Sequence, residues 1–142
     1  MSAYDTNLAA EFYVLSVLHH YGAEATLTLG NKKSVDIVVV RGAGDTVTVD
    51  VKGLAGTTRR PVDNFREGRK KHYLALVSFL GRIADCPPTL PEVYIVPAEE
   101  VPGLTYSNPG KTRKVIQRAR MKRDGAQYLE AWKQFFPARV DA

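Results

Sequence analysis

Cysteine is almost absent from this chain. The single Cys86 leaves no internal disulfide possible, so stability has to come from the core, and a reducing compartment is the default expectation. Long apolar runs are missing as well; none approaches the ~20 residues that a membrane span needs. The opening residues, MSAYDTNLAAE, carry an Asp and a Glu and no basic segment ahead of a hydrophobic stretch. That pattern is not a secretory leader, and the expected location is cytoplasmic. No Cys/His zinc spacing, nucleophile elbow or phosphate-binding glycine loop occurs. Internal repeats and low-complexity tracts are absent too.

What is present fits one domain over residues 1–142. With 44% apolar and 25% charged residues, a chain of this length can bury roughly 70% of its unfolded surface. Lys and Arg number 20 against 15 Asp and Glu, a net charge of +5, and the sequence pI is near 9.4. Such a balance favours polyanionic partners through phosphate neutralisation.

Leu8–Tyr21 reads as a helix with Asp5, Thr6 and Asn7 as N-cap candidates and Gly22 at the C′ position. Its apolar stripe is expected to run through Leu8, Phe12, Leu15 and Leu18. Thr26–Leu29, Ser34–Val40 and Thr46–Lys52 read as strands, the last two joined by the hairpin loop RGAGD. Pro61–Lys71 is polar and predicts a loop or short helix. His72–Leu80 and Glu92–Val96 read as further strands, and Thr112–Met121 and Ala126–Phe136 as helices. This order predicts an α/β domain with a central mixed sheet, an N-terminal helix and flanking C-terminal helices.

Several acidic positions conflict with this pattern unless they do chemistry. On a helix Glu11 lies about 60° from Leu8 and about 40° from Leu15, and a carboxylate inside an apolar stripe needs a partner or a metal. The bland alternative is a carboxylate near the helix N-terminus reaching solvent. If the five-residue loop Arg41–Asp45 is symmetric, Val38 faces Thr48 and Asp36 falls opposite Asp50. Two carboxylates with Cβ atoms about 5 Å apart repel unless a cation, a shared proton or a basic neighbour compensates. Lys52 follows Asp50 by two residues and shares its strand face, while Val47, Val49 and Val51 take the other. An edge-strand ion pair would explain Asp50 and Lys52 alone, but not Asp36.

Glu11, SVDIVVV and VTVDVKG resemble the PD-(D/E)xK nuclease superfamily, in which a helix bearing Glu precedes a hairpin bearing Asp and (Asp/Glu)-x-Lys. The match covers Leu8 to Gly53, with Val35 standing where the motif has a Pro that supplies no ligand. The resemblance implies a restriction-endonuclease-like fold and a catalytic set of Glu11, Asp36, Asp50 and Lys52. It further implies that Asp36, Asp50, the Val51 carbonyl and Glu11 bind Mg²⁺ or Mn²⁺, which suit hard oxygen ligands. The implied activity is Mg²⁺-dependent DNA endonuclease, with a homodimer as one way to cut both strands. The rival is a non-catalytic module of the same fold that binds nucleic acid or a protein.

Basic residues surround this motif in the sequence. Lys32 and Lys33 precede Asp36, while Arg59, Arg60, Arg69, Lys70 and Lys71 follow the hairpin. Arg113, Lys114 and Arg118 belong to a stretch, Lys111–Arg123, that contains no acid. These are the expected nucleic-acid contacts, giving affinity without base choice; a solvated helix face is the bland reading of the last cluster.

Overall fold

β-Branched residues set the architecture. The computed structural model describes residues 3–28, 35–57, 59–62, 65, 69–107 and 114–136, with backbone alone at 3, 4 and 59–61. Helix α1 (Ala3–His20) is followed by β1 (Glu24–Leu27), β2 (Ile37–Gly42), β3 (Asp45–Leu54) and β4 (Arg59–Pro61). Then come β5 (His72–Ser78), β6 (Glu92–Pro97), β7 (Thr105–Tyr106), β8 (Val115–Gln117) and α2 (Arg118–Asp124). A five-stranded sheet has the order β1-β2-β3-β5-β6, and a small sheet has the order β4-β8-β7. In the large sheet β3 and β5 run parallel and their other neighbours antiparallel. The expected mixed α/β fold is therefore present.

Helix α1 begins at Ala3, so Asp5, Thr6 and Asn7 lie inside its first turns rather than capping it. Asn7 instead accepts the Gly53 amide on its Oδ1 at 2.8 Å, tying the helix to β3. The far end stops where expected. Gly22 has φ +80°, and the Gly22 and Ala23 amides bond to the His19 and Leu18 carbonyls, a Schellman arrangement. The buried stripe differs from the expected one: Ala10, Val14 and Leu18 are fully buried, whereas Phe12 is 52% exposed. Close approach explains the change. A Cβ on Gly53 would lie 2.8 Å from the Thr6 carbonyl oxygen and 3.0 Å from the Ala10 Cβ. Only a face of small residues lets the helix sit that near the sheet, and a Phe there would hold it off.

Strand alternation sends two residue sets to two faces. On one face Ile37, Val39, Val47, Val49, Val51, Ala75, Val77, Val93 and Ile95 pack beneath α1, with Trp132 and Phe135 from the chain's end. Each Val or Ile buried in this way contributes roughly 1.5–3 kcal/mol relative to exposure. On the other face Leu74, Leu76, Tyr94 and Val96 meet Val62, Phe65, Leu104, Ile116 and Met121, which the small sheet and α2 bring over β5 and β6. Above β1 and β2 the same face leaves Glu24, Thr26 and Val40 exposed.

Further sequence expectations need correction. Val115–Gln117 is a strand, because its β-branched residues pair with β4 and β7, and α2 starts only at Arg118. Arg59–Pro61 is likewise a strand, ending at the residue where the loop or short helix Pro61–Lys71 was expected to begin. Ala126–Phe136 forms two 3-10 turns, Ala126–Tyr128 and Trp132–Phe135, rather than one helix. Between them Glu130 has φ +52°, and its amide donates to the Val93 carbonyl at 2.8 Å. The Gln134 side chain donates to the Ile95 carbonyl at 2.9 Å. The segment thus caps the edge of β6, and those bonds outweigh its helical propensity.

Candidate active site

The hairpin fixes the geometry of the site. Ala43 and Gly44 form a two-residue turn between the paired Gly42 and Asp45, and the register shifts between Val40 and Gly42. Gly44 takes φ +75°, a left-handed conformation that glycine adopts without steric cost. This replaces the expected symmetric five-residue loop, yet the register beyond it is the expected one. Val40 faces Thr46, Val38 faces Thr48 and Ile37 faces Val49. The ladder ends at Ile37 and Val49, and Asp36 directly precedes it. The turn is clamped by Asp45, which accepts two bonds from Arg41 at 3.1 Å and one from Lys71 at 3.3 Å. Hydrogen bonding from Arg41, reinforced by Lys71, holds the Asp45 carboxyl below the ordinary range.

Asp36 lies half-buried just before β2. Its amide donates to the Val49 carbonyl at 3.0 Å, and its carbonyl accepts from Thr28 at 2.9 Å. The Val51 amide donates to Asp36 Oδ2 at 2.7 Å, so the side chain replaces a missing ladder acceptor and lies against β3. Asp50 is 8% exposed, and Lys52 is half-buried two residues along the same strand. In the parallel neighbour Leu74 and Leu76 stand beside them. Val51 is buried on the opposite face under α1. Glu11 is 5% exposed, flanking Val14 and Leu18 by three and seven residues, and is not without a partner.

His72 is a member of this constellation that sequence reasoning passed over. It is 2% exposed at the first position of β5, paired with Thr48 across the parallel ladder. Its Nε2 lies 3.3 Å from Asp50 Oδ2, and its Nδ1 2.6 Å from Thr48 Oγ1. Phe65 stacks on the ring with centroids 5.1 Å apart. A histidine opening an apolar strand was visible in sequence, but the register joining it to Asp50 depends on a crossover of unspecified geometry.

Hard oxygen donors suit Mg²⁺ or Mn²⁺, and Mg²⁺ is commonly held by one or two carboxylates with water completing its shell. Asp36, Asp50 and the Val51 carbonyl are donors of that chemical class. Among the described residues no group of three or more His, Cys, Asp and Glu side chains is arranged to hold a metal by itself. By donor chemistry alone, two carboxylates and a carbonyl suit a cation that keeps much of its water.

The basic residues differ in their surroundings. Lys70, Lys71 and Lys114 are exposed, and Arg69 is half-buried. Lys70 and Lys71 lead directly into His72. Arg118 forms a two-pronged ion pair with Glu92 at 2.9 and 3.1 Å, so its charge is balanced. Arg59 and Arg60 are placed by backbone alone in β4, while Lys32, Lys33 and Arg113 lie outside the described residues. No described helix is long and apolar enough to cross a membrane.

No protein-family model matches the chain, and no curated protein does so either. Among solved structures it is similar to a bacterial homing endonuclease, with a TM-score of 0.62 at 16% identity. The superposition covers 96% of this chain and 93% of that one. At this identity the likeness is one of architecture, and the chain accordingly has a nuclease-like fold.

Proposed function

We propose that this protein is a Mg²⁺-dependent DNA endonuclease of the PD-(D/E)xK type, hydrolysing phosphodiester bonds. The observation that carries the reading is the end of the β2–β3 ladder. There Asp36 accepts the Val51 amide at 2.7 Å, beside a strand that sets Asp50 and Lys52 on one face. Asp36, Asp50 and the Val51 carbonyl would hold the cation, with Glu11 contributing directly or through water. A bound divalent cation would polarise the scissile phosphate and lower the pKa of an attacking water. Lys52 is the chain's own contribution to the charge that builds on the phosphoryl oxygens. Lys70, Lys71 and Lys114 supply positive charge without which the acids alone would repel a polyanion. The likeness to an endonuclease fold favours the same reading.

The test is a cleavage panel with Mg²⁺ or Mn²⁺ across single-stranded, duplex, flap and four-way DNA, with RNA included. Cleavage that is abolished by Asp36→Ala and by Asp50→Ala is expected; undiminished cleavage by either variant rejects the assignment.

One observation favours the rival, a non-catalytic module that binds nucleic acid or protein. Both strand carboxylates already have partners inside the fold, the Val51 amide for Asp36 and His72 for Asp50. Calorimetric titration of Mn²⁺ into wild type and Asp50→Asn separates the two. The nuclease reading expects heat of binding that the variant loses; the rival expects none from either, even with DNA present.

A further inference from the structure

His72 is a buried polar side chain to which the proposed chemistry gives no task. Its position is fixed on three sides: Nε2 against Asp50 Oδ2, Nδ1 against Thr48 Oγ1, and one ring face on Phe65. An ionised carboxylate can only accept, so the proton of that contact resides on Nε2, and the Thr48 hydroxyl complements whatever Nδ1 presents. With both edges bonded and one face stacked, rotating the ring would break two hydrogen bonds in a site that is 2% exposed.

We propose that His72 is a positioning residue for Asp50. It engages Oδ2 and thereby selects one carboxylate rotamer, directing the remaining acceptor capacity of Asp50 toward a divalent cation. Thr48 holds the imidazole in register. This rests on the reading of Asp50 as a metal ligand, and it assigns to β5 a part in a site otherwise built by the hairpin. A histidine present only to fill the core would affect stability and leave metal affinity alone.

The experiment is Mn²⁺ calorimetry beside urea unfolding for wild type, His72→Leu, His72→Gln and Thr48→Val. Affinities are compared at a temperature where each variant is folded. Losing an outer-shell partner typically weakens metal binding by ~10–100-fold, and that loss is expected for His72→Leu. His72→Gln, whose amide N–H can reach the place of Nε2–H, restores most of it. Thr48→Val, close in shape but without the hydroxyl, gives a smaller weakening. If His72→Leu does not fold, the other two variants carry the comparison. In cleavage assays the folded variants lose kcat with KM for DNA unchanged.

Wild-type Mn²⁺ affinity in every folded variant overturns the proposal, as does equal weakening by Leu and Gln. Absence of Mn²⁺ binding by wild type, with and without DNA, instead removes the nuclease reading and this inference with it.

Discussion

Gly53 shows how little freedom a single position can have. Its missing side chain lets α1 approach β3, and its amide is taken by Asn7. Gly53→Ala puts a methyl group against the Thr6 carbonyl, backbone that cannot simply swing away, and overpacking of this kind costs about 1–3 kcal/mol. Urea unfolding should show that loss, whereas an unchanged midpoint would mean that the helix is not seated as described. The sequence was readable at this scale wherever one rule sufficed. Alternation alone put Asp50 and Lys52 opposite Val49 and Val51, and that is where they lie. For Glu11 the helical pattern left two readings open, a place in the apolar stripe or a carboxylate reaching solvent; it is 5% exposed, and the stripe beside it runs through Val14 rather than Phe12. His72 was not readable, because contact between residues 50 and 72 needs a parallel register that no local pattern encodes.

At the level of elements, α1 can be tested at Leu18, which the expected and observed stripes share, and at Phe12, where they differ. Leu18→Ala removes a fully buried side chain and should cost about 2–5 kcal/mol. Phe12→Ala should change stability by no more than about 0.5 kcal/mol, as surface replacements usually do. A large loss at Phe12 in thermal or urea melts would restore the original stripe. The hairpin makes a pH prediction. Because Arg41 lowers the Asp45 pKa in the fold, the clamp's stabilisation is complete above the unfolded value of about 3.9. It fades as pH falls through the lower folded value. Circular dichroism should therefore find Asp45→Asn less stable than wild type at neutral pH. The gap should narrow only at acidic pH below about 4; a gap that widens there contradicts the sign. Helix propensity misled at residues 126–136 because the pattern says nothing about an unprotected β6 edge that needs hydrogen-bond donors and acceptors.

Taken whole, the molecule is mildly basic, yet its charges are not equivalent. Arg118 is neutralised by Glu92, and Lys71 is shared with Asp45, whereas Lys70 is exposed. On the proposed reading, DNA affinity falls with salt according to the number of phosphates neutralised. Lys70→Ala should lower the slope of log K against log salt by ~0.9, and the double variant Glu92→Gln/Arg118→Gln should leave it unchanged. Fluorescence anisotropy over a salt series measures both, and equal slopes for all three proteins would remove Lys70 from the interface. Fold class was legible at this scale from the order of helix and strands. Sheet order was not, since the β3–β5 crossover and the small second sheet arise from contacts distant in sequence.

The shift at Arg41 can finally be understood as a matter of parity. β2 and β3 both bury their odd-numbered residues, so opposed partners must have numbers with an even sum. A two-residue turn pairs Gly42 with Asp45, an odd sum, and left uncorrected would set Ile37 against Asp50. The additional residue at Arg41 restores evenness, so Val39 meets Val47 on one face and Val38 meets Thr48 on the other. Deleting Arg41 would keep every candidate ligand in the chain and still change which residues of β2 and β3 oppose one another. The turn therefore acts on the sheet through its length as well as through its residues.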